Sequence, residues 1–414
     1  MEGEPMETDR TEENDSEQYF EIGATVISGL EMFARDECQE KLKCKAEIGR
    51  GRIYFNIAKD QLHSIVTLQA VNNLFVLVNK DKNKELDLYG KKDSTLEYLK
   101  ELVTHQDWSV PLAAWKEFTK SSHHLERPQD GTKNQCDNLP IFRVTCTRSS
   151  KEGRKHEFSS QEAASATGGR INDIFGWPVK MKDFDMEISV DINDTKVVLG
   201  INLTSESLHR RNITHFGPTT LQSTIAYCML RMSCPQVGDI ICDPMCGGSS
   251  IPIEGARTWA SCYFLSGDNV EIATEKSEGN ITAIEEKRNS ITSKGLFLHL
   301  DVFQWDVTNL PLRSNSVDVF ITDLPFGKRM GSKLNNWELY RRGLTEMARV
   351  CKPGTGRAVL LTQDKKCMAR VLKMTNHLWR KKYLQFIRMG GLTAGMYSLT
   401  RVGRAAQVAA QTQS

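Results

Sequence analysis

The sequence predicts an α/β protein in which two small mixed units precede a larger one built on a mainly parallel sheet. Three observations point there. From residue 206 to about 404, short apolar runs of strand length alternate with amphipathic stretches, the pattern of strands joined by crossover helices. Upstream, residues 19–80 and 139–205 each carry their own strand and helix patterns. Polar stretches without periodicity lie ahead of the first unit and between the two.

In order along the chain, residues 1–18 hold eight acids against the single base Arg10 and read as a disordered acidic tail. The 414-residue chain carries a formal charge of +2, so the rest stands near +9, which suits a polyanionic partner. Next, "YFEIGATVISGLE" reads as strand and turn, "EMFARDECQEKLK" as an amphipathic helix and "GRIYFNIA" as a strand. "DQLHSIVTLQAVNNLFVLV" reads as a helix running into a strand. That β-α-β-α-β order is that of a small ferredoxin-like unit, which the reading extends over 19–138. Residues 81–138 are polar, and "SSHHLERPQDGTKNQCDN" predicts a flexible connection in their later part. The pattern restarts with strand "IFRVTCTR", helix "SSQEAASATGGRINDIFG" and strands "DMEISVDIND" and "KVVLGINLT". The large unit predicts strands at "DIICDP", "CYFLSGD", "LHLDVFQWD", "SVDVFITD" and "RAVLLTQ", then an antiparallel pair at "LQFIRMG" and "AGMYSLTR". Residues 405–414 form a tail.

Composition narrows the function. No run approaches the roughly 18 apolar residues of a membrane helix, and the acidic N-terminus is unlike a signal peptide. Eleven scattered cysteines without a C-x-x-C pair predict reduced thiols in an intracellular, cytoplasmic protein (the nucleus being a second candidate) and no metal site.

The chemistry gathers at four strand ends, where open α/β sheets place their ligands. The first, "DPMCGGSSIPIEGA", lets the backbone approach a ligand beside a helix N-terminus, yet it matches no P-loop and no G-x-G-x-x-G. Its candidate ligand contacts are Asp243, Pro244, Cys246 and Gly247. The second ends in Asp268-Asn269, an acid about 20–25 residues past the glycine turn, where ribose hydroxyls are held in such folds. The third ends in Gln304-Trp305-Asp306, with Asp306 available to an adenine amino group. The fourth is Asp323-Leu324-Pro325-Phe326.

The order "DPMCG…GD…QWD…DLPFG" in residues 206–404 resembles class I (Rossmann-like) S-adenosylmethionine-dependent methyltransferases that modify amino groups. Residues 139–205 resemble a THUMP domain. With "ESLHRRNITHFGPTTLQSTIAY", the chain resembles THUMP domain-containing tRNA (guanine-N2) methyltransferases over nearly its whole length. The resemblance implies S-adenosylmethionine as cofactor and methylation of a guanosine N2 in the tRNA acceptor stem, at nucleotide six or seven. It implies a catalytic Asp323-Leu324-Pro325-Phe326, with the Asp323 carboxylate or the Leu324 carbonyl accepting from the amino group and Phe326 stacking on a flipped base. It places Pro218 and Thr219 over the cofactor, beside Asp243, Asp268, Asn269, Asp306 and Asp323. It makes Arg143, Arg148, Lys151, Arg154, Lys155, Arg210 and Arg211 candidate phosphate contacts, with Lys41 and its basic neighbours to Arg52. It also implies a partner, the small zinc-binding activator subunit shared by several methyltransferases, on the apolar edge strand "LFLHLDVFQWD".

One departure stands out. Where that family usually reads D-P-x-C-G-T-G, this chain has Gly248 and Ser249. A serine forced to positive φ costs on the order of 1 kcal/mol, unless Gly248 absorbs the conformation. The alternative reading is an RNA-binding protein with a degenerate, catalytically weakened methyltransferase domain.

Overall fold

The computed structural model describes residues 18–80, 88–121, 123, 125, 138–150, 154–194, 196–217, 219–291, 297–326 and 333–403. The acidic tail, most of the expected connection at 122–137, the C-terminal tail, Lys151 and Pro218 lie outside the described residues.

Strands β1 (Tyr19–Thr25), β2 (Ala46–Gly49), β3 (Arg52–Ala58), β4 (Asn73–Lys80), β5 (Phe142–Ser149), β6 (Met186–Asn193) and β7 (Lys196–Asn202) form a first sheet. Its order is β2-β3-β1-β4-β7-β6-β5. The two small units therefore share one seven-stranded sheet. Their adjoining edges, β4 and β7, would otherwise be open templates for other chains. The helix expected after β3 is a 3-10 stretch, Lys59–Thr67, after helix α1 (Glu31–Leu42). Two helices, α2 (Lys92–Thr104) and α3 (Ser109–Thr119), occupy the start of the segment read only as polar; α2 buries Thr95, Leu99 and Val103 at four-residue spacing. Helix α4 (Ser160–Phe175) starts at a Ser159–Glu162 capping box and joins β5 to the parallel strand β6.

The second sheet holds β8 (Ile240–Asp243), β9 (Tyr263–Asp268), β10 (Leu300–Gln304), β11 (Val319–Asp323), β12 (Arg357–Thr362), β13 (Trp379–Met389) and β14 (Leu392–Arg401). Its order is β10-β9-β8-β11-β12-β14-β13. The first five strands run parallel and the β13–β14 hairpin closes the edge antiparallel, as the sequence predicts. Helices α5 (Ser223–Ser233), α6 (Ser250–Thr258), α7 (Glu271–Ile291), α8 (Lys333–Val350) and α9 (Lys365–Met374) link or precede the strands. Strand order reverses between β8 and β11, so the loops after them diverge and leave a crevice at the carboxyl ends. A core of Phe320, Leu324, Tyr340, Leu344, Leu360 and Trp379 fixes β11, β12 and α8 beneath that crevice.

The chain divides into two compact units: residues 18–22, 55–65 and 76–203, and residues 23–54, 66–75 and 204–403. Within the second, buried Glu254 of α6 ties distant stretches together. Its carboxylate accepts from Arg211 at 2.6 Å, from Asn212 at 2.8 Å and from the Gln69 amide at 2.8 Å. Buried Glu37 on α1 accepts from the Gln69 and Ala70 N–H groups and from Lys41. Lys41 is thus bound within the fold, although its sequence context suggests a phosphate contact. Replacing Glu254 with Ala leaves Arg211, largely buried itself, without its counter-charge. The expected loss is about 3–5 kcal/mol, read as a lowered midpoint in urea denaturation.

Candidate active site

The glycine loop after β8 is built by its own hydrogen bonds. Gly247 lies at φ +54, and nothing stands within 4 Å of where its Cβ would be, so its backbone faces open space. Its N–H donates to Asp268 Oδ2 at 3.1 Å, and Asp268 Oδ1 accepts from Val270 N–H at 3.1 Å. The Cys246 N–H donates to the Gly267 carbonyl at 2.9 Å. The loop after β8 and the acid at the end of β9 are therefore one assembly. A side chain at position 267 would strike the Trp305 ring at 2.3 Å, and Trp305 in turn donates its indole N–H to the Pro244 carbonyl at 3.2 Å.

Gly248 does not absorb the strain: Ser249 itself takes the left-handed conformation, at φ +61. The fully buried Ser249 hydroxyl lies 2.6 Å from Ser266 Oγ and donates to Ser277 Oγ at 2.8 Å, while Ser277 donates to the Gly247 carbonyl at 2.8 Å. These bonds offset the conformational cost and hold the loop from below. Asn280 holds it from the side, accepting from the Thr214 and His215 N–H groups at 2.9 and 2.7 Å and donating to the Gly248 carbonyl at 3.0 Å.

Asp243 and Asp323 end the neighbouring strands β8 and β11; Asp243 is buried, and Asp323 is half-buried with its Oδ1 atom out of water. Burial pushes the Asp243 carboxyl up to about 7, with Asp268 adding to it. Burial, then repulsion from Asp243, pushes Asp323 well above the usual carboxylate range. Asp323 Oδ1 has no hydrogen-bond partner, an orphaned acceptor at the crevice. Leu324 is buried, donating its N–H to the Leu361 carbonyl, and Phe326 is half-buried. The Pro325 carbonyl accepts from Asn336 Nδ2 at 3.1 Å and from the Tyr340 hydroxyl at 2.7 Å, which fixes the turn from α8.

The structure brings Asp243, Pro244, Cys246, Gly247, Asp268 and Asp323 to one end of one sheet. Asn269 and Asp306 are exposed there, with Asp306 Oδ1 accepting from Thr308 N–H in a turn. Thr219 is exposed. Several expected phosphate contacts are engaged elsewhere. Arg211 is bound to Glu254, Arg143 pairs with Glu187 at 2.9 Å, and Arg148 donates to Ser160 Oγ at 3.1 Å and to the Phe158 carbonyl. Arg210 and Lys155 are exposed, and exposed Arg154 lies 5.2 Å from the Tyr89 ring centroid. Among the described residues no cluster of His, Cys, Asp or Glu could hold a metal ion, and no helix is long and apolar enough to cross a membrane.

This geometry, a topological switch point with acids at successive strand ends, is that of a class I methyltransferase. The RMKL-like methyltransferase domain matches residues 210–394, and the THUMP domain matches residues 116–202. The tRNA (guanine(6)-N(2))-methyltransferase THUMP3 of Bos taurus is 43% identical, over 92% of this chain and 88% of that protein. Its Homo sapiens counterpart is 41% identical, over 95% and 90%. The crystal structure of TrmN from Thermus thermophilus superposes with a TM-score of 0.69 at 20% identity, covering 93% of this chain and all of that one. The chain belongs to the family of THUMP-domain tRNA guanine-N2 methyltransferases.

Tyr340, Asn336, Asn280 and Glu254 escape the sequence reading. Each is a polar residue on a helix whose role is set by where that helix packs. Only Asn280 and Glu254, placed among apolar helix positions, carry a hint of burial.

The two raised carboxyls set a pH dependence. An aspartate ordinarily titrates near 3.8, so the folded chain holds protons that the unfolded chain releases. Their contribution to stability is therefore complete below that value and is lost as pH rises through about 7 for Asp243. Each contributes at most about 1.4 kcal/mol per pH unit. Asp243→Asn should lessen the fall in stability between pH 5 and pH 8, measured by urea denaturation; an unaltered fall would mean that Asp243 is ionised in the folded chain throughout.

Proposed function

We propose that this chain methylates the exocyclic N2 of guanosine six in the tRNA acceptor stem, using S-adenosylmethionine. The observation that carries the reading is the orphaned, buried Asp323 Oδ1 at the head of Asp323-Leu324-Pro325-Phe326, in a chain 43% identical to an enzyme of that name. Nucleotide six is favoured over seven because the bovine and human relatives are named for guanine six. Within the reading, residues 19–138, 139–205 and 206–404 serve as ferredoxin-like, THUMP and methyltransferase domains.

The crevice suits the cofactor. Gly247 leaves open space above its backbone, and Asp268 is held in place by two N–H groups with lone pairs remaining for ribose hydroxyls. Asp243, Pro244, Cys246 and Asn269 line the same strand ends, with Asp306 at the adenine side and Pro218 and Thr219 on the segment ahead of the sheet. The cofactor supplies an electrophilic methyl on sulfur. The guanine amino nitrogen is a poor nucleophile because its lone pair is delocalised into the ring. Asp323 accepts one of its N–H bonds, and the Pro325 turn, clamped by Tyr340 and Asn336, aligns the nitrogen. The methylated nitrogen must then lose a proton, which the Asp323 carboxylate in its ionised form takes up to become the carboxylic acid, its raised proton affinity favouring the transfer. Phe326 offers a face for the flipped base. Arg154, Lys155, Lys151 and Arg210 remain candidate phosphate contacts, whereas Arg143, Arg148 and Arg211 are assigned to the fold. The described cysteines are all free, which fits a reducing compartment such as the cytoplasm.

Methyl transfer to a tRNA pool, followed by mapping of the modified nucleotide, tests the whole reading; modification elsewhere than guanosine six would overturn it. Asp323→Ala should lower turnover by at least 100-fold while S-adenosylmethionine and tRNA still bind, in keeping with the 10²–10⁴ typical of acid–base groups. Asp268→Ala should instead raise the cofactor concentration required. If calorimetry gives both variants the same cofactor defect, the division of roles fails.

The small zinc-binding activator is proposed to pair with β10, the edge of the second sheet. Leu298 and Leu300 are buried there, while Phe297 and Phe303 are 76% and 40% exposed, an apolar edge that another chain could cover. Co-expression with that subunit should raise soluble yield and activity together; full activity of the monodisperse chain alone would rule the partner out as obligatory.

A further inference from the structure

Residues 365–403 contain nine Lys and Arg and no acid, although about one residue in eight of the chain is acidic. This segment comprises α9 and the β13–β14 hairpin. Arg401 is buried, donating to the Ala348 and Leu378 carbonyls. Seven others are exposed: Lys366, Arg370 and Lys373 on α9, and Arg380, Lys381, Lys382 and Arg388 on β13. Among the described residues no carboxylate pairs with any of the seven. An open depression of about 510 Å³ lies between α9 and β13, floored by Trp379 and Tyr397 and rimmed by Lys373, Arg380 and Lys381.

The position matters as much as the charge. Strand β13 runs in the same direction as β12, because both are antiparallel to β14. One row across the sheet reads Asp323, Leu361, Met396, Gln385. At about 4.8 Å per strand, Asp323 is roughly 14 Å from Gln385. Beyond that row, at the active-site end, come Phe386, which like Tyr383 is half exposed, and exposed Arg388. Arg380, Lys381 and Lys382 instead precede the row by three to five residues, roughly 10–17 Å toward the amino ends of the strands. Lysines on an edge strand can serve merely to keep sheets from pairing. That role is met by charge of either sign and does not extend to a neighbouring helix. Here one sign covers both elements, and three arginines expected to meet phosphate upstream are bound within the fold.

We propose that α9 and the edge strand β13 form a second phosphate-contacting surface, on which the duplex stem of the tRNA lies while Asp323 faces its guanosine. The proposal rests on the function argued above. The triple variant Arg380→Glu, Lys381→Glu, Lys382→Glu tests it in the full chain, by anisotropy of labelled tRNA at several salt concentrations. The dissociation constant should rise at least tenfold, and the slope of log K against log salt should fall by about 2–3, near 0.9 per phosphate contact. KM for tRNA should rise while kcat at saturation and S-adenosylmethionine affinity hold. An unchanged slope with intact cofactor binding overturns the proposal. If the triple variant loses cofactor binding, it has misfolded, and the single variant Lys381→Glu decides: its slope should fall by about 1, and no change overturns the surface. Wild-type chain that binds tRNA without methylating it refutes the function instead, and leaves the slope comparison valid.

Discussion

The adjacency of β8 and β11 is the constraint on which the site depends. A parallel sheet turns all its carboxyl ends one way, and reversal of strand order at this pair brings Asp243 and, two residues further along the neighbouring strand, Asp323 to the place where the loops part. Two neighbouring carboxyls withdrawn from water resist ionisation. Everything around them restrains the crevice that keeps them so: the serine hydroxyls under the glycine loop, the indole of Trp305 on Pro244, the tyrosine of α8 on Pro325. The fold thus supplies an acceptor that is costly to leave unpartnered, and the proposed amino substrate is its partner.

Much of this is legible in the chain because buried parallel strands are short, apolar and β-branched, and end in an acid or glycine. "DIICDP" and "SVDVFITD" announce both strand and site, and the parallel order follows from the helices between them. The fusion of the two small units into one sheet is not legible, since strand pairing between β4 and β7 leaves no mark on residue type. Helices α2 and α3 are hidden by a polar composition that conceals a thin apolar stripe. Arginine is the hardest residue to read. A guanidinium suited to phosphate is equally suited to Glu254 or Glu187, and only geometry separates the two.

Ser249 shows how a departure from a family pattern can be absorbed. The residue occupies a conformation that favours glycine, yet its hydroxyl joins Ser266 and Ser277 in a buried chain that ends on the Gly247 carbonyl. Strain and compensation sit within one side chain, so a mismatch in sequence is not by itself a sign of lost activity.

The grouping of α1 with the C-terminal residues has a consequence for synthesis. Glu40 pairs with Arg231 across 191 positions, and Gln69 reaches Glu254 across 185. A ribosome adding about 5–20 residues per second needs on the order of 10–40 s to deliver those partners. For that interval the nascent chain carries a buried-type acid, Glu37, and the Leu30–Leu42 apolar positions of α1 without the surfaces that later enclose them. Slow codons between residues 70 and 230 would lengthen that exposure, whereas changes near the C-terminus would leave it untouched.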